Sequence, residues 1–438
     1  MEFTIDYGIT LPTMPYFNKA ILLTAYRKAK VDLYYSTNPP LLEMMDYEEK
    51  LDENLEALLE KLNSKDTKWV EDKEFLGAWT VSPTQYYSSS SKDGDASNVV
   101  VATDNGNNLT PKAGIKPSAE FRIMAKCSID FHIVSTLWMM MVGEEFEKKL
   151  SKNAYGSRLR RKKDGEFNLE ALGSFEPYLH PFRKWQSDAI EVMRGALKED
   201  KQICTLTADV SSFYHKIDVE FLNEEKFLNI VNKTEPKKIL AKYGYTKIHE
   251  IFTKALTAWA ASTPLQRGLP VGLPASAVVA NLALIELDTY IEQKVAPLHY
   301  GLYVDDIILV IENNAELSSI QDVWKWLFAA DTRRLFKVVD GTAQFKPSYL
   351  SKTDIKFENE KNKLFILSGN QGLGLINTIS DQIRERASEW RALPILPEDA
   401  EAAAKGVLEA ISTQGKRVDK LREADSLVFQ RSSFAITL

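Results

Sequence analysis

The sequence predicts an α+β fold in which a strand-rich middle is flanked by helical ends. Three observations carry that reading. Leu51, Leu55, Leu58, Leu59 and Leu62 recur at three- and four-residue steps among charged residues, the period of an amphipathic helix, inside a helical pattern that runs from Asn18 to about Lys73. From Leu206 to about Gly369, short apolar strands alternate with helices. Residues 300–312, YGLYVDDIILVIE, have the β-branched and aromatic composition of a hairpin whose strands are largely enclosed.

Taken in order, the helical N-terminal region is predicted over 1–82. Between Pro83 and Pro117 the composition shifts to Ser, Asn, Asp, Gly and Thr, including Ser88-Ser89-Ser90-Ser91 and Asp104-Asn105-Gly106-Asn107-Asn108. That chemistry makes a loop or a hairpin tip, with Val99-Val100-Val101 as a short strand inside it. Residues 129–150 return to a helical pattern, closing a second region, 83–204. The strand-rich region is 205–370, and the tail, 371–438, reads as polar amphipathic helix interrupted by Pro394 and Pro397. No internal repeat of fixed period is present.

With 438 residues, 44% hydrophobic and 26% charged, the chain can build two or three packed domains. Its most apolar stretch, Leu137-Trp138-Met139-Met140-Met141-Val142, is far shorter than a bilayer span, and MEFTIDYGIT lacks the basic opening and apolar core of a signal peptide. Cys127 and Cys204 stand far apart in no C-x-x-C pattern, which excludes a disulfide framework and a thiolate metal site. The expected compartment is the cytosol. A net charge of −6 argues against binding nucleic acid over the whole surface, but not against a local basic groove. Arg158-Leu159-Arg160-Arg161-Lys162-Lys163 carries five positive charges in six residues, as either a solvated loop or a stretch of nucleic-acid path. The five histidines show no i,i+4 pairing, so no histidine metal site is expected. Trp138, Trp185, Trp324 and Trp326 read as packing residues.

Asp305 and Asp306 are the discordant residues of the hairpin, because two enclosed ionised carboxylates in contact are costly without a neutralising partner. Upstream, LTADVSSFYHKID, residues 206–218, sets Asp209 after an apolar strand start and before a helix-like turn, where it can converge with the hairpin tip. Three carboxylates from two strands can hold two divalent ions about 3.5–4 Å apart, the arrangement that activates an attacking oxygen and stabilises a leaving one in phosphoryl transfer. Hard oxygen ligands favour Mg²⁺, with Mn²⁺ as the alternative. Between these carboxylate elements lies QRGLPVGLPASAVVANLALIELD, residues 266–288. Its Gly268, Pro270, Gly272 and Pro274 make a loop through which backbone can approach a ligand closely, leading into a helix with Ser276, Asn281 and Asp288.

In this order and spacing, the three elements resemble the palm motifs of reverse transcriptases: ADVSSFYHKID the first, GLPVGLPASAVVANLAL the second and YVDD the third. EFRIMA, around Arg122, resembles the fingers motif. AYGSRL, around Arg158, and YLHPFRKWQSDAI, around Trp185, resemble segments of bacterial reverse transcriptases of the abortive-infection and unknown-group defence type. LREADSLVFQRSSFAITL resembles the passage that leads in those proteins into a C-terminal helical repeat domain. The resemblance covers roughly residues 115–438. It implies a right-hand polymerase with fingers over 83–204, a ferredoxin-like antiparallel palm sheet over 205–370 with part of the fingers interleaved, and helical elements over 371–438 in place of a large thumb. The chain stops at Leu438 as that helical region begins, which reads as a compact member or a shortened chain.

Carried over by position, the metal ligands and catalytic acids fall on Asp209, Asp305 and, less indispensably, Asp306. Tyr214 falls on the ring that excludes a ribose 2′-hydroxyl, the alternative being a plain core aromatic. Gln266 and the backbone from Gly268 to Gly272 fall where template and incoming base pair are held; Val271 departs from the Gln that many members carry. Arg122 is implied as a bidentate triphosphate contact, with a surface salt bridge as its alternative, and Arg158 as a further substrate contact. Lys361 is the implied proton donor to pyrophosphate, in competition with Lys352 and Lys363, or else a solvated lysine. The resemblance implies dNTPs and an RNA or DNA template or product as ligands, a structured non-coding RNA, a homo-oligomer or second subunit as partner, and cytoplasmic antiphage defence in a bacterium. Synthesis would be templated, or untemplated and protein-primed. The rivals are a retired polymerase fold scaffolding RNA and a small-molecule nucleotidyl cyclase. The three retained acids argue against the first, and the long glycine-proline loop with Tyr214 against the second.

Overall fold

A computed structural model describes residues 15–36, 39–87, 118–231, 238–329, 331–339, 341–357 and 362–389. Contacts divide the chain into two units, Met1–Val81 with Ile123–Thr378, and Ser82–Arg122 with Ile379–Leu438. Described parts of the second unit are the strand segments 82–87 and 118–122 and the helical residues 379–389. The expected strand Val99–Val101, most of the polar loop and Lys361 lie outside the described residues.

Helices α1 (Lys19–Tyr34), α2 (Leu41–Glu49), α3 (Leu51–Asn63) and α4 (Lys73–Leu76) open the first unit. Asn18 caps α1, its side chain accepting the Ile21 N–H at 3.0 Å. Leu55, Leu58 and Leu62 form the buried stripe of α3 and Leu22, Ala25 and Leu33 that of α1, while Leu51 and Leu59 are half-buried. Strands β1 (Ala78–Tyr87) and β2 (Ser118–Lys126) pair as a two-stranded sheet. The helix expected from 129 forms as α5 (Ile129–Trp138), a π turn over Met139–Gly143 and α6 (Glu144–Glu147). It is buried along nearly its whole length.

Helix α7 (Leu179–Lys198) leads into β3 (Ile203–Asp209). Helices α8 (Phe213–Lys216), α9 (Glu225–Val231), α10 (Lys238–Ala241), α11 (Tyr245–Ser262), α12 (Ala275–Ala283) and α13 (Ile285–Tyr290) come next. The hairpin strands are β4 (His299–Tyr303) and β5 (Asp306–Glu312), and after them come α14 (Ile320–Ala329), β6 (Phe336–Val339), β7 (Thr342–Phe345), β8 (Ile355–Lys356), β9 (Lys363–Leu367) and α15 (Gly369–Glu389). The main sheet is antiparallel throughout, in the order β4-β5-β3-β9. A small antiparallel sheet, β6-β7-β8, falls within the strand-rich stretch, with Lys337, Val338 and Val339 of β6 exposed.

Period-two alternation gives the main sheet two unlike faces. Cys204, Leu206, Ala208, Ile307, Leu309 and Ile311 are buried in the hydrophobic core, on the face where Tyr300 donates to Asp288 of α13 at 2.6 Å. The opposite face carries Thr205, Thr207 and Asp209 on β3, with α7 covering its lower part, where the Thr205 hydroxyl meets Met193 Sδ at 3.2 Å. Trp138, Trp185 and Trp324 are buried as expected of packing residues, whereas Trp326 is 36% exposed. Cys127 and Cys204 are buried free thiols.

Burial pushes the Asp288 carboxyl up to about 7, with the Tyr300 hydrogen bond and Arg158 opposing and Glu292 adding to the rise. An unfolded aspartate titrates near 3.9, so in the window from about 4 to 7 the native state holds a proton that the unfolded chain has released. Stability from this site is full below that window and falls as pH rises through it. Asp288→Asn keeps an acceptor for Tyr300 and removes the titration. Urea midpoints should show the variant gaining on the parent by about 1–3 kcal/mol between pH 5 and pH 8. An unchanged gap would show that Asp288 does not titrate in that range.

Candidate active site

The β3–β5 ladder pairs Ile203 with Glu312 at one end and Asp209 with Asp306 at the other. Register partners on antiparallel strands project from the same face about 5 Å apart, so Asp209 and Asp306 stand side by side at the open end of the sheet. The β4 register sets Tyr303 opposite Asp306, extending the row to Tyr303, Asp306, Asp209. Asp305 sits in the turn, its carbonyl accepting the Val210 N–H at 3.0 Å. The expectation of an enclosed acid pair needs correcting: Asp305 and Asp209 are half-buried and Asp306 is exposed. The strands are enclosed but their tip is not, so water relieves much of the desolvation cost.

The turn itself is strained. Val304 has φ of 59°, at the first central position of a two-residue hairpin loop, where glycine is the usual choice and a β-branched side chain is strongly disfavoured. The neighbouring segment 153–157 holds it. Tyr155 N–H donates to Leu302 O at 2.7 Å and Leu302 N–H to Asn153 O at 2.8 Å, adding an edge to β4. Gly156 lies so close that a Cβ there would come within 2.8 Å of Val304 Cγ2 and 2.9 Å of its nitrogen. Asn281 of α12 fixes Gly156 from behind, Nδ2 to carbonyl at 2.8 Å.

The glycine-proline loop is tied to the segment after Asp209 by backbone hydrogen bonds. Leu269 N–H donates to Tyr214 O at 2.7 Å, and Gly268 N–H to Ile217 O at 3.0 Å. Gly268 has φ of 100°, and a Cβ there would stand 2.9 Å from Tyr214 O, so this approach requires glycine. On its other side Val271 O accepts from Ala125 N–H at 2.8 Å, and Ser276 Oγ donates to Pro270 O at 2.8 Å. His215 Nε2 lies 3.2 Å from both N and O of Ile123. The Tyr214 ring is half-buried against the core, edge-on to Phe213, while Gln266 and Gly272 are exposed. Three motifs distant in sequence thus meet in one backbone framework around a row of acids.

A family model described as reverse transcriptase (RNA-dependent DNA polymerase) matches residues 111–334, just over half of the chain. The chain belongs to the reverse transcriptase family. No curated protein matches it. Membership brings a polymerase palm and fingers, which agrees with the mixed helices and antiparallel sheets, and the general reaction of RNA-directed DNA synthesis from dNTPs on a nucleic-acid template.

Reverse transcriptases generally work with divalent metals such as Mg²⁺. Among the described residues, no three His, Cys, Asp or Glu side chains are grouped closely enough to hold a metal ion. The donor set of Asp209, Asp305 and Asp306 nevertheless fits one by chemistry: it is all carboxylate oxygen and reachable from solvent.

Arg158 is engaged inside the protein. Its guanidinium pairs with buried Glu147 and donates to Ser151 O at 2.9 Å and Ala154 O at 2.8 Å, holding the segment that backs the YVDD turn. Arg161 pairs with Glu144 and Glu147, Lys162 with Glu170 at 2.8 Å, and Arg160 donates to Leu172 O at 3.2 Å, so much of the basic run is satisfied locally. Arg122 is exposed on β2. Lys352 pairs with Glu220 at 2.5 Å and Asp218 at 3.6 Å, and those contacts raise its ammonium pKa. Lys363 is exposed on β9 opposite Thr207, on the face that carries Asp209.

The supporting residues Gly156, Glu147, Asn281 and Val304 were not singled out for this role by sequence. The glycine within AYGSRL is the local signal that could have pointed to a close backbone approach there. Gly156→Ala should displace the hairpin tip, lowering the melting temperature by several degrees, with a cost of about 1–3 kcal/mol, and cutting DNA synthesis disproportionately. Differential scanning fluorimetry with primer extension checks this, and a variant as active and as stable as the parent would show that the turn tolerates the methyl group.

Proposed function

We propose that this reverse transcriptase joins dNTPs by two-metal phosphoryl transfer, with Asp209, Asp305 and Asp306 as the acids that hold Mg²⁺, in the manner of the bacterial abortive-infection and unknown-group defence enzymes. The observation that carries the reading is the register of Asp209 against Asp306 with Asp305 in the adjoining turn, beside a glycine-proline loop joined by backbone to Tyr214. Asp209, Asp305 and Asp306 would hold a metal pair, which would supply activation of the attacking 3′-hydroxyl and stabilisation of the leaving oxygen. The protein's own part is positional: the ladder sets the carboxylates, and the Gly268–Tyr214 contact fixes the floor beneath the sugar. Tyr214 then acts as the gate against ribonucleotides, and Arg122 as the triphosphate contact. RNA serves as template or bound partner, and the setting is cytoplasmic antiphage defence, with an oligomer or second subunit as its working form.

Asp305→Asn keeps the size of the side chain and removes a ligating charge. Primer extension should fall at least about a thousandfold, roughly 4 kcal/mol of transition-state stabilisation, with thermal stability kept or raised. Near-normal synthesis by this variant would sink the assignment of Asp305 as a metal ligand.

Tyr214→Ala opens space under the sugar. The ratio of kcat/KM for a matched rNTP over its dNTP should rise at least tenfold. An unchanged ratio in a variant that still polymerises assigns Tyr214 to the core alone.

A further inference from the structure

Helix α7 runs along β4 on the same face as the acids, and its N-terminal rings close around the tyrosine of YVDD. Trp185 lies over Gly301, where a Cβ would come within 2.8 Å of its ring. Phe182 meets Tyr303 edge-on at 5.3 Å between centroids, and Tyr178 meets it edge-on at 6.0 Å. Tyr178 and Phe182 stack on each other at 5.4 Å with 21° between their planes. The cluster is graded from inside to outside: Trp185 is buried, Phe182 and Tyr303 are half-buried, and Tyr178 is 60% exposed.

Tyr303, which the exposed Tyr178 ring meets edge-on, sits one strand from Asp306 and two from Asp209, because Tyr303 pairs with Asp306 and Asp306 with Asp209. At about 4.8 Å per strand this places the cluster within roughly one nucleotide's length of the acids. Tyr178 is also fixed from behind: Glu176, two residues earlier, donates its N–H to Arg158 O at 2.9 Å, in the segment that buttresses the turn.

We propose that Tyr178, stiffened by Phe182 and Tyr303, is a stacking platform for a nucleobase near the 3′ end of the growing strand. The inference rests on the polymerase reading given above and names a positioning residue for it. A flat, rigid, solvent-facing ring beside the chemistry offers every base a π-face and so holds the strand end without reading its sequence. Its hydroxyl has no part in this, so the ring alone matters.

The test uses the full chain, a primer-template with 2-aminopurine at the primer 3′ end, and the variants Tyr178→Ala, Tyr178→Phe and Tyr178→Trp. Stacking quenches the probe. Parent, Phe and Trp proteins should quench it and extend the primer with similar constants. Tyr178→Ala should lose the quench and raise KM for primer-template roughly tenfold, with kcat for dNTP addition little changed and the melting temperature kept. Extension by the parent without quenching, or an Ala variant with unchanged KM, overturns the platform. Quenching without extension overturns the polymerase reading and leaves the platform standing, and the absence of both overturns both.

Discussion

The antiparallel ladder between β3 and β5 is the constraint on which the site depends. Its seven pairs, from Ile203 with Glu312 to Asp209 with Asp306, put Leu206, Ala208, Ile307 and Leu309 into the core and the two acids on the other face. A slip of one residue would move those core side chains to the face that α7 only partly covers and bury a carboxylate in their place. The hydrophobic effect thus enforces the register that the proposed chemistry needs. The same interaction that stabilises the sheet sets the spacing between Asp209 and Asp306.

Strain is concentrated at the tip of that ladder and is held by its surroundings. A left-handed Val304 costs on the order of 1–3 kcal/mol and persists only where neighbours over-determine it. Those neighbours form a chain of contacts. Gly156 abuts Val304, Asn281 holds Gly156, and Arg158 with buried Glu147 holds the segment between. Farther out, the loop after Arg161 is fastened to α1 by Lys28. Lys28 is 2% exposed, and its ammonium donates to Asn168 O at 2.7 Å, Ala171 O at 2.8 Å and Gly173 O at 2.9 Å. Burial lowers that lysine to about 8, and Asp32 opposes the shift. The Lys28 side chain thereby ties the first N-terminal helix to the loop that follows the segment backing the YVDD turn.

Charge in this region is used in two ways. Glu147, fully buried, is matched by Arg158 and Arg161, and removing one partner of such a group would leave an uncompensated charge in the interior. At the sheet end the acids stand in contact with solvent, where like charges are tolerable and a cation can approach. A basic run in the sequence and an acidic pair in a strand look equally anomalous on paper, yet the first is largely satisfied internally and the second faces outward.

Much of the fold, and the acids and glycines of the candidate site, were legible in the sequence. The leucine stripe of α3, the rod from Ile129, the hairpin strands and the strand end at Asp209 follow from local periodicity. Asp209, Gly268, Asp305 and Asp306 stand out because carboxylates in apolar strands and paired glycines break the local pattern. Tertiary structure decided the rest. Which face Asp306 takes depends on pairing with β3, nearly a hundred residues earlier. The exposure of the acids depends on where the sheet ends, and the internal role of Arg158 on a glutamate carried by another element. The platform of Tyr178, Phe182 and Tyr303 joins α7 to β4 across more than a hundred residues. Sequence shows which groups are costly to place, because that cost is a property of each residue and its near neighbours. It does not show which distant backbone relieves the cost, because that is set only when the chain has packed.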